Sequence, residues 1–197
     1  MLIGVLALQG GFAAHARMLR SLGADVREVR VPADLEDLDG LVIPGGESTT
    51  MTLGIEREQL AGPLRAFGRP VFGTCAGLIM LDREHLGMMD IEAQRNAFGR
   101  QVRSFEADLD VAGLDGPPLR AVFIRAPWIA AHGDDVQIVA EVDGHAVAAQ
   151  QGDILVVAFH PELGTDTRLH ERFLAACAAR AVGAGSALEA THRDSGA

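Results

Sequence analysis

Two hydrophobic periods alternate along the first part of the chain. Leu2 to Leu8 is a continuous apolar run, the mark of a strand buried on both faces. After the turn Gln9-Gly10-Gly11, residues Phe12, His15, Leu19 and Leu22 recur at helical spacing until Gly23 ends the pattern. Val26 to Val31 alternates with charged residues, as a strand near a sheet edge would, and Leu41-Val42-Ile43 predicts another buried strand that stops at Pro44-Gly45-Gly46. Ser48 has the chemistry of a helix N-cap, and the helix it opens runs through Met51, Ile55 and Leu60 to an interruption at Gly62-Pro63, near Leu64 and Phe67. Pro70-Val71-Phe72 then begins a strand that ends at the turn Gly73-Thr74-Cys75-Ala76-Gly77. Repeated strand, turn and helix predict a parallel sheet with helices on both faces.

The pattern changes in the second half. From Ala97 to Val147 the runs are shorter, the Gly/Pro turns more frequent, and segments such as Ala121 to Ile124 and Val136 to Val142 alternate, which predicts antiparallel strands added to the parallel core. Ile154 to Phe159 is one more apolar strand, closed by His160-Pro161-Glu162, and Thr167 to Val182 forms a final alanine-rich helix. The expected fold is therefore α/β: a three-layer, doubly wound, mostly parallel but mixed sheet flanked by helices. One domain over 1–183 is expected, with 184–197 as a disordered tail after Gly183.

Composition narrows the functional classes. The 197 residues are 48% hydrophobic and 22% charged, which suits a single globular core. A net charge of -10, from 17 Lys+Arg against 27 Asp+Glu, lacks the basic footprint of a nucleic-acid or anionic-membrane binder. No apolar run approaches the ~20 residues that span a bilayer, and the N-terminal run has neither the basic start nor the small-residue cleavage site of a secretion signal. Cys75 and Cys177 make no disulfide framework, so a reducing, cytoplasmic setting is expected.

The breakers that end the parallel strands carry the candidate chemistry, because ligands of open parallel sheets collect at the carboxyl ends of the strands. Gly73-Thr74-Cys75-Ala76-Gly77 has the form of a nucleophile elbow, in which glycines permit a tight turn that lifts one side chain above the sheet. The following helix start favours the thiolate. His160 and Glu162 lie two apart in an extended segment, so both can face Cys75, with Glu162 orienting the imidazole as general base. The backbone N–H of Ala76 and the turn containing Gly46 are the candidate oxyanion donors. Cys177, within an alanine-rich helix, reads as a small buried hydrophobe, and Met80, Met88 and Met89 as core filler. A metal site of His160, Glu162 and His170 lacks a second ligand cluster and is not expected. His15, His85, His132, His145 and His192 read as surface or helix-face histidines. No Gly-x-Gly-x-x-Gly or Walker loop is present, and no cofactor is expected.

Six motifs occur in order: "GVLALQGG" at Gly4–Gly11, "PGGEST" at Pro44–Thr49, "GTCAGLI" at Gly73–Ile79, "RNAFGRQ" at Arg95–Gln101, "FIRAP" at Phe123–Pro127 and "FHPEL" at Phe159–Leu163. Together they resemble the glutaminase subunits of pyridoxal 5′-phosphate synthase, a branch of the triad (class I) glutamine amidotransferases. The cysteine elbow and His-x-Glu are common to the wider class, whereas "RNAFGRQ", "FIRAP" and "LALQG" point to this branch. The resemblance implies a class I amidotransferase fold that hydrolyses L-glutamine to glutamate and ammonia through a cysteine thioester. It also implies a hetero-oligomeric complex with the synthase subunit that receives the ammonia, and low activity until that subunit docks. Carried over by position, Cys75 is the nucleophile, His160 the base and Glu162 its orienter, with Gly46, Glu47, Ser48, Arg95, Ile124 and Arg125 lining the glutamine site. Trp128, Ala14 and Arg103 depart from the pattern. Three other readings compete: a glutaminase feeding a different acceptor, a cysteine hydrolase without a glutamine requirement, and an inactive scaffold, which the intact triad disfavours.

Overall fold

A computed structural model describes residues 1–95 and 104–193, with 183–193 as backbone only. Five strands form the parallel centre of the sheet: β1 (Leu2–Leu6), β2 (Asp25–Val29), β3 (Gly40–Ile43), β4 (Val71–Thr74) and β11 (Ile154–Val157), in the order β2-β1-β3-β4-β11. Their connections are α1 (Phe12–Ser21), α2 (Ser48–Arg57), α3 (Ala61–Arg65) and α4 (Ala76–Leu81), and α5 (Arg168–Arg193) follows β11. β3 and β4 are buried at every position, as continuous apolar runs require in a sheet covered on both faces. β2 forms the sheet's edge and is exposed or half-buried at every position but Val29.

An antiparallel wing continues from β11 through β10 (His145–Gln151), β8 (Trp128–His132) and β5 (Ile91–Gln94), with β9 (Gln137–Val142) also paired to β10. The mixed sheet is thus the one expected, flanked by helices. β6 (Ser104–Leu109) and β7 (Leu119–Ile124) form a separate two-stranded ribbon rather than joining the sheet. Phe123 of β7 anchors that ribbon, stacked on Phe105 at 4.5 Å and edge-on to Phe159 at 5.4 Å.

Three local expectations are corrected. Glu47, not Ser48, caps α2: its carboxylate accepts from the backbone N–H of Thr49 (3.0 Å) and of Thr50 (2.7 Å), so two oxygens satisfy two free helical donors. Hydrogen bonds from the Thr50 hydroxyl and these amides hold the Glu47 carboxyl at about 2. The break after α2 comes earlier than Gly62-Pro63, at Gln59 with φ of 56°, and Pro63 sits in the first turn of α3, where its missing N–H costs nothing. The last helix passes through Gly183 instead of ending at Val182, because glycine in a run rich in alanine weakens a helix by only about 1 kcal/mol.

Candidate active site

The carboxyl ends of β3, β4 and β11 converge on one cleft of about 330 Å3, and the elbow lies at its floor. Cys75 adopts φ 48° and ψ −106°, a conformation that costs a non-glycine residue on the order of 1–3 kcal/mol and is held only because its surroundings fix it. They do so in two ways. Cys75 N–H donates to Val157 O of β11 at 2.8 Å, and Gly77 passes so close to β3 that a Cβ there would lie 1.9 Å from Ile43 O. The side chain is 6% exposed, and its Sγ faces Ile124 O at 4.0 Å.

His160 leaves β11 with its backbone N–H donated to Val122 O of β7 at 2.9 Å, so the ribbon braces the segment carrying the imidazole. Its Nδ1 lies 2.8 Å from Glu162 Oε1. Burial pulls the imidazole down, but hydrogen bonds to Cys75 and Glu162, with their charges, raise it to about 10. Burial pushes the Glu162 carboxyl up, while the attraction of His15 beside it and the hydrogen bond from His160 outweigh burial and keep it well below the carboxylate range. The imidazolium form of His160 is therefore favoured, held between the thiol and an anion that orients it.

The two glycines before α2 serve space rather than unusual dihedrals. A Cβ on Gly45 would fall 2.5 Å from His160 Cε1, and one on Gly46 would fall 2.3 Å from Gln9 Nε2. Gly45 N–H donates to Thr74 Oγ1 at 3.0 Å and Gly45 O accepts from Gly11 N–H at 2.9 Å, which ties this turn to β4 and to the start of α1. Gln9 reaches across and donates its Nε2–H to Glu47 O at 2.9 Å.

Gly46, Glu47, Ser48, Ala76, Arg95, Ile124 and Arg125 all line the cleft beside Cys75 and His160. Arg95 donates to Ser48 Oγ, whereas the Glu47 carboxylate is taken up by the α2 cap. Arg125, like Cys75, has a positive φ, 45°, so both strained cleft residues face the same space. Glu162 is buried behind His160 and does not line the cleft. Ile79 and Pro127, which end the motifs "GTCAGLI" and "FIRAP" but were given no role, complete the wall. Residues 96–103, which include most of "RNAFGRQ" and Arg103, lie outside the described residues. Trp128 stacks on His145 at 3.6 Å and donates its Nε1–H to Gln94 Oε1 at 3.1 Å.

The reading of His15 as a surface or helix-face residue is corrected. It is fully buried against β4, with Nε2 3.0 Å from Thr74 Oγ1 and 3.3 Å from Glu162 Oε2. Its only sequence signal was its place on the apolar stripe of α1 with Phe12 and Leu19.

A family model described as the SNO glutamine amidotransferase family matches residues 5–179. The chain belongs to that family. Relatives named pyridoxal 5′-phosphate synthase subunit PdxT include one from Frankia alni, 51% identical over 184 residues, covering 87% of this chain and 92% of that one. Another, from Rhodococcus opacus, is 49% identical over 192 residues, covering 88% and 95%. A crystal structure of a glutamine amidotransferase superposes with a TM-score of 0.83 at 41% identity, covering 89% of this chain and 98% of that one. The elbow and the mixed sheet are thus those of a glutamine amidotransferase. Among its described residues this amidotransferase has no helix long and apolar enough to cross a membrane and no cluster of metal-binding side chains.

Proposed function

We propose that this glutamine amidotransferase is the glutaminase of a pyridoxal 5′-phosphate synthase, and that Cys75, His160 and Glu162 perform the hydrolysis. The observation that carries the reading is the strained Cys75 at the cleft floor beside an imidazole anchored on Glu162. The Cys75 thiolate attacks the side-chain amide carbon of L-glutamine, and the oxyanion meets the backbone N–H groups of Ala76 and Gly46. The His160 imidazolium gives its proton to the departing nitrogen, so ammonia leaves and a thioester remains. His160 then takes a proton from water, hydroxide adds to the thioester, and glutamate departs as the thiolate is regenerated. Arg95 suits the substrate carboxylate, with Ser48 and the Ile124-Arg125 backbone fixing the rest of the amino-acid end.

The names of the relatives support a synthase subunit as the acceptor of ammonia. Gln9 lies over Gly46, so a partner docking on the Gln9-Gly10-Gly11 rim would act directly on the peptide that serves the oxyanion. Two unpaired cysteines suit a reducing cytoplasm. The test is ammonia release from L-glutamine by the protein alone and with its synthase subunit, with Cys75→Ala as control. Partner-dependent release that the substitution abolishes supports the reading; no release from a verified complex overturns it.

A further inference from the structure

The hydrolysis described above uses one oxygen of Glu162. The other, Oε2, is buried and makes no well-aligned hydrogen bond among the described residues; the polar atom beside it is His15 Nε2, at 3.3 Å. A buried carboxylate with one oxygen unsupported is free to rotate about its terminal torsion, and rotation would carry Oε1 away from His160 Nδ1. His15 is itself held from behind: its Nδ1 lies 3.0 Å from His170 Nε2 on α5, and its ring is packed edge-on to Phe72 of β4 at 6.3 Å. We propose that His15 is a positioning residue for glutamine hydrolysis, holding the second oxygen of Glu162 so that the first stays on His160, with His170 fixing which nitrogen of His15 faces the carboxylate. The proposal rests on the roles given to Glu162 and His160 above.

The surroundings of both rings fix the tautomer of His15. His170 Nδ1 is buried with no hydrogen-bond partner among the described residues, and a bare lone pair there costs less than an unpaired N–H. Burial also holds the His170 imidazole down at about 3, so the ring is neutral, and its single proton belongs on Nε2, donated to His15 Nδ1. That leaves the His15 proton on Nε2. Independently, a lone pair on Nε2 facing the Glu162 anion at 3.3 Å would repel it, whereas Nε2–H attracts it and also reaches Thr74 Oγ1 at 3.0 Å. Thr74 Oγ1 accepts from Gly45 N–H as well, so the same buried chain reaches the turn that contains Gly46. Side chains of three elements distant in sequence, α1, β4 and α5, thus join in one buried chain that reaches the orienting carboxylate through His15, much as outer groups fix the ligands of a metal.

The test compares wild type with His15→Leu, which removes the donor, and His15→Gln, whose amide N–H reaches the same carboxylate, each as the complex with the synthase subunit. In His15→Leu, kcat falls about 10- to 100-fold, the range seen when outer-shell partners are lost, while KM stays within about twofold. The acid limb of the kcat/KM profile moves to higher pH, because buried Glu162 without this partner protonates more readily and a protonated carboxyl no longer orients His160. His15→Gln recovers most of kcat and returns the acid limb. His170→Phe, which keeps the packing and frees the tautomer, gives a smaller loss of the same kind. A folded His15→Leu with unchanged kcat and acid limb overturns the proposal, as does a His15→Gln no better than the leucine variant with the limb unmoved. The rate of Cys75 alkylation by iodoacetamide in the three proteins needs no glutamine. If the wild-type complex releases no ammonia, the glutaminase reading falls, and alkylation still decides positioning: slower in His15→Leu and restored in His15→Gln supports it, and equal rates overturn it.

Discussion

The two ends of β3 each press a glycine against a cysteine, with opposite consequences. At the amino end, Gly40 lies beneath Cys177 of α5, and a Cβ there would meet Sγ at 2.4 Å and Phe173 Cζ at 2.9 Å. Just past the carboxyl end, Gly45 lies beside Cys75 and His160, at 3.1 and 2.5 Å by the same measure. Burial barely separates the two thiols, 1% exposed for Cys177 and 6% for Cys75. Their surroundings do. Cys177 packs against Gly40, and burial, with the charges of Asp39 and Asp153 adding to it, pushes its thiol up to about 12. Cys75 sits on a strained turn in the open cleft, beside the His160 imidazole. In an open parallel sheet the carboxyl end of a strand is where backbone donors and loops meet, and the amino end is filled to be stable. Tight glycine packing therefore serves chemistry at one end and stability at the other.

The largest test of that contrast is to remove each thiol. Cys75→Ala is expected to lower glutamine hydrolysis by the complex about 10^4-fold or more, as loss of a triad nucleophile does, while Cys177→Ala leaves kcat/KM within about twofold. The next is to fill the space at the carboxyl end. Gly45→Ala would push His160 from its place, and displacements near 1 Å cost about 100-fold in rate, so kcat should fall by that order beyond whatever stability the overpacking costs. Equal losses of activity from Gly45→Ala and Gly40→Ala would erase the distinction.

A smaller effect is expected in the pH dependence of stability. His160 is raised from 6.5 to about 10, so its contribution is fully present below pH 6.5 and is lost as pH climbs toward 10. Glu162 is depressed, so its contribution is present above pH 4.5 and is lost only in stronger acid. The pair is jointly strongest between those values. Because Cys75 is the first of the partners that raise His160, Cys75→Ala should flatten the fall in melting temperature between pH 6.5 and 9.5. An unchanged slope would mean that the thiol does not support the imidazolium.

Legibility in the sequence follows the same division. The Cys75 elbow and His160-Pro161-Glu162 are local motifs, each readable within a few residues, and the central parallel strands, unlike edge strand β2, announce themselves as apolar runs. His15 was not readable as a partner of Glu162. A histidine on a helical stripe looks the same whether it meets solvent or a carboxylate 147 positions away, and only the sheet order brings α1 beside the segment after β11. The β6–β7 ribbon was misplaced for a related reason: alternation predicts a strand and one covered face, but not which strand it joins. Glu47 displaced Ser48 as helix cap because propensity ranks residue types, whereas two adjacent amides in reach of one carboxylate are a matter of geometry.

The smallest predicted effect isolates the amino end of β3. Gly40→Ala adds a methyl group within 2.4 Å of Cys177 Sγ, and overpacking of this kind costs about 1–3 kcal/mol in unfolding free energy. Cys177→Ala alone removes a buried sulfur and costs about 1 kcal/mol. Combined, the new methyl occupies part of the space the sulfur vacates, so the double variant should lose less than the sum of the two by at least about 0.5 kcal/mol. Phe173 Cζ still stands 2.9 Å from the added atom, which limits the recovery. Urea midpoints at constant m-value measure all three, and the complex should hydrolyse glutamine at the wild-type rate throughout. Strictly additive losses would show that Gly40 is held by the Phe173 ring alone, and that the thiol of Cys177 contributes nothing to the packing at this end of the strand.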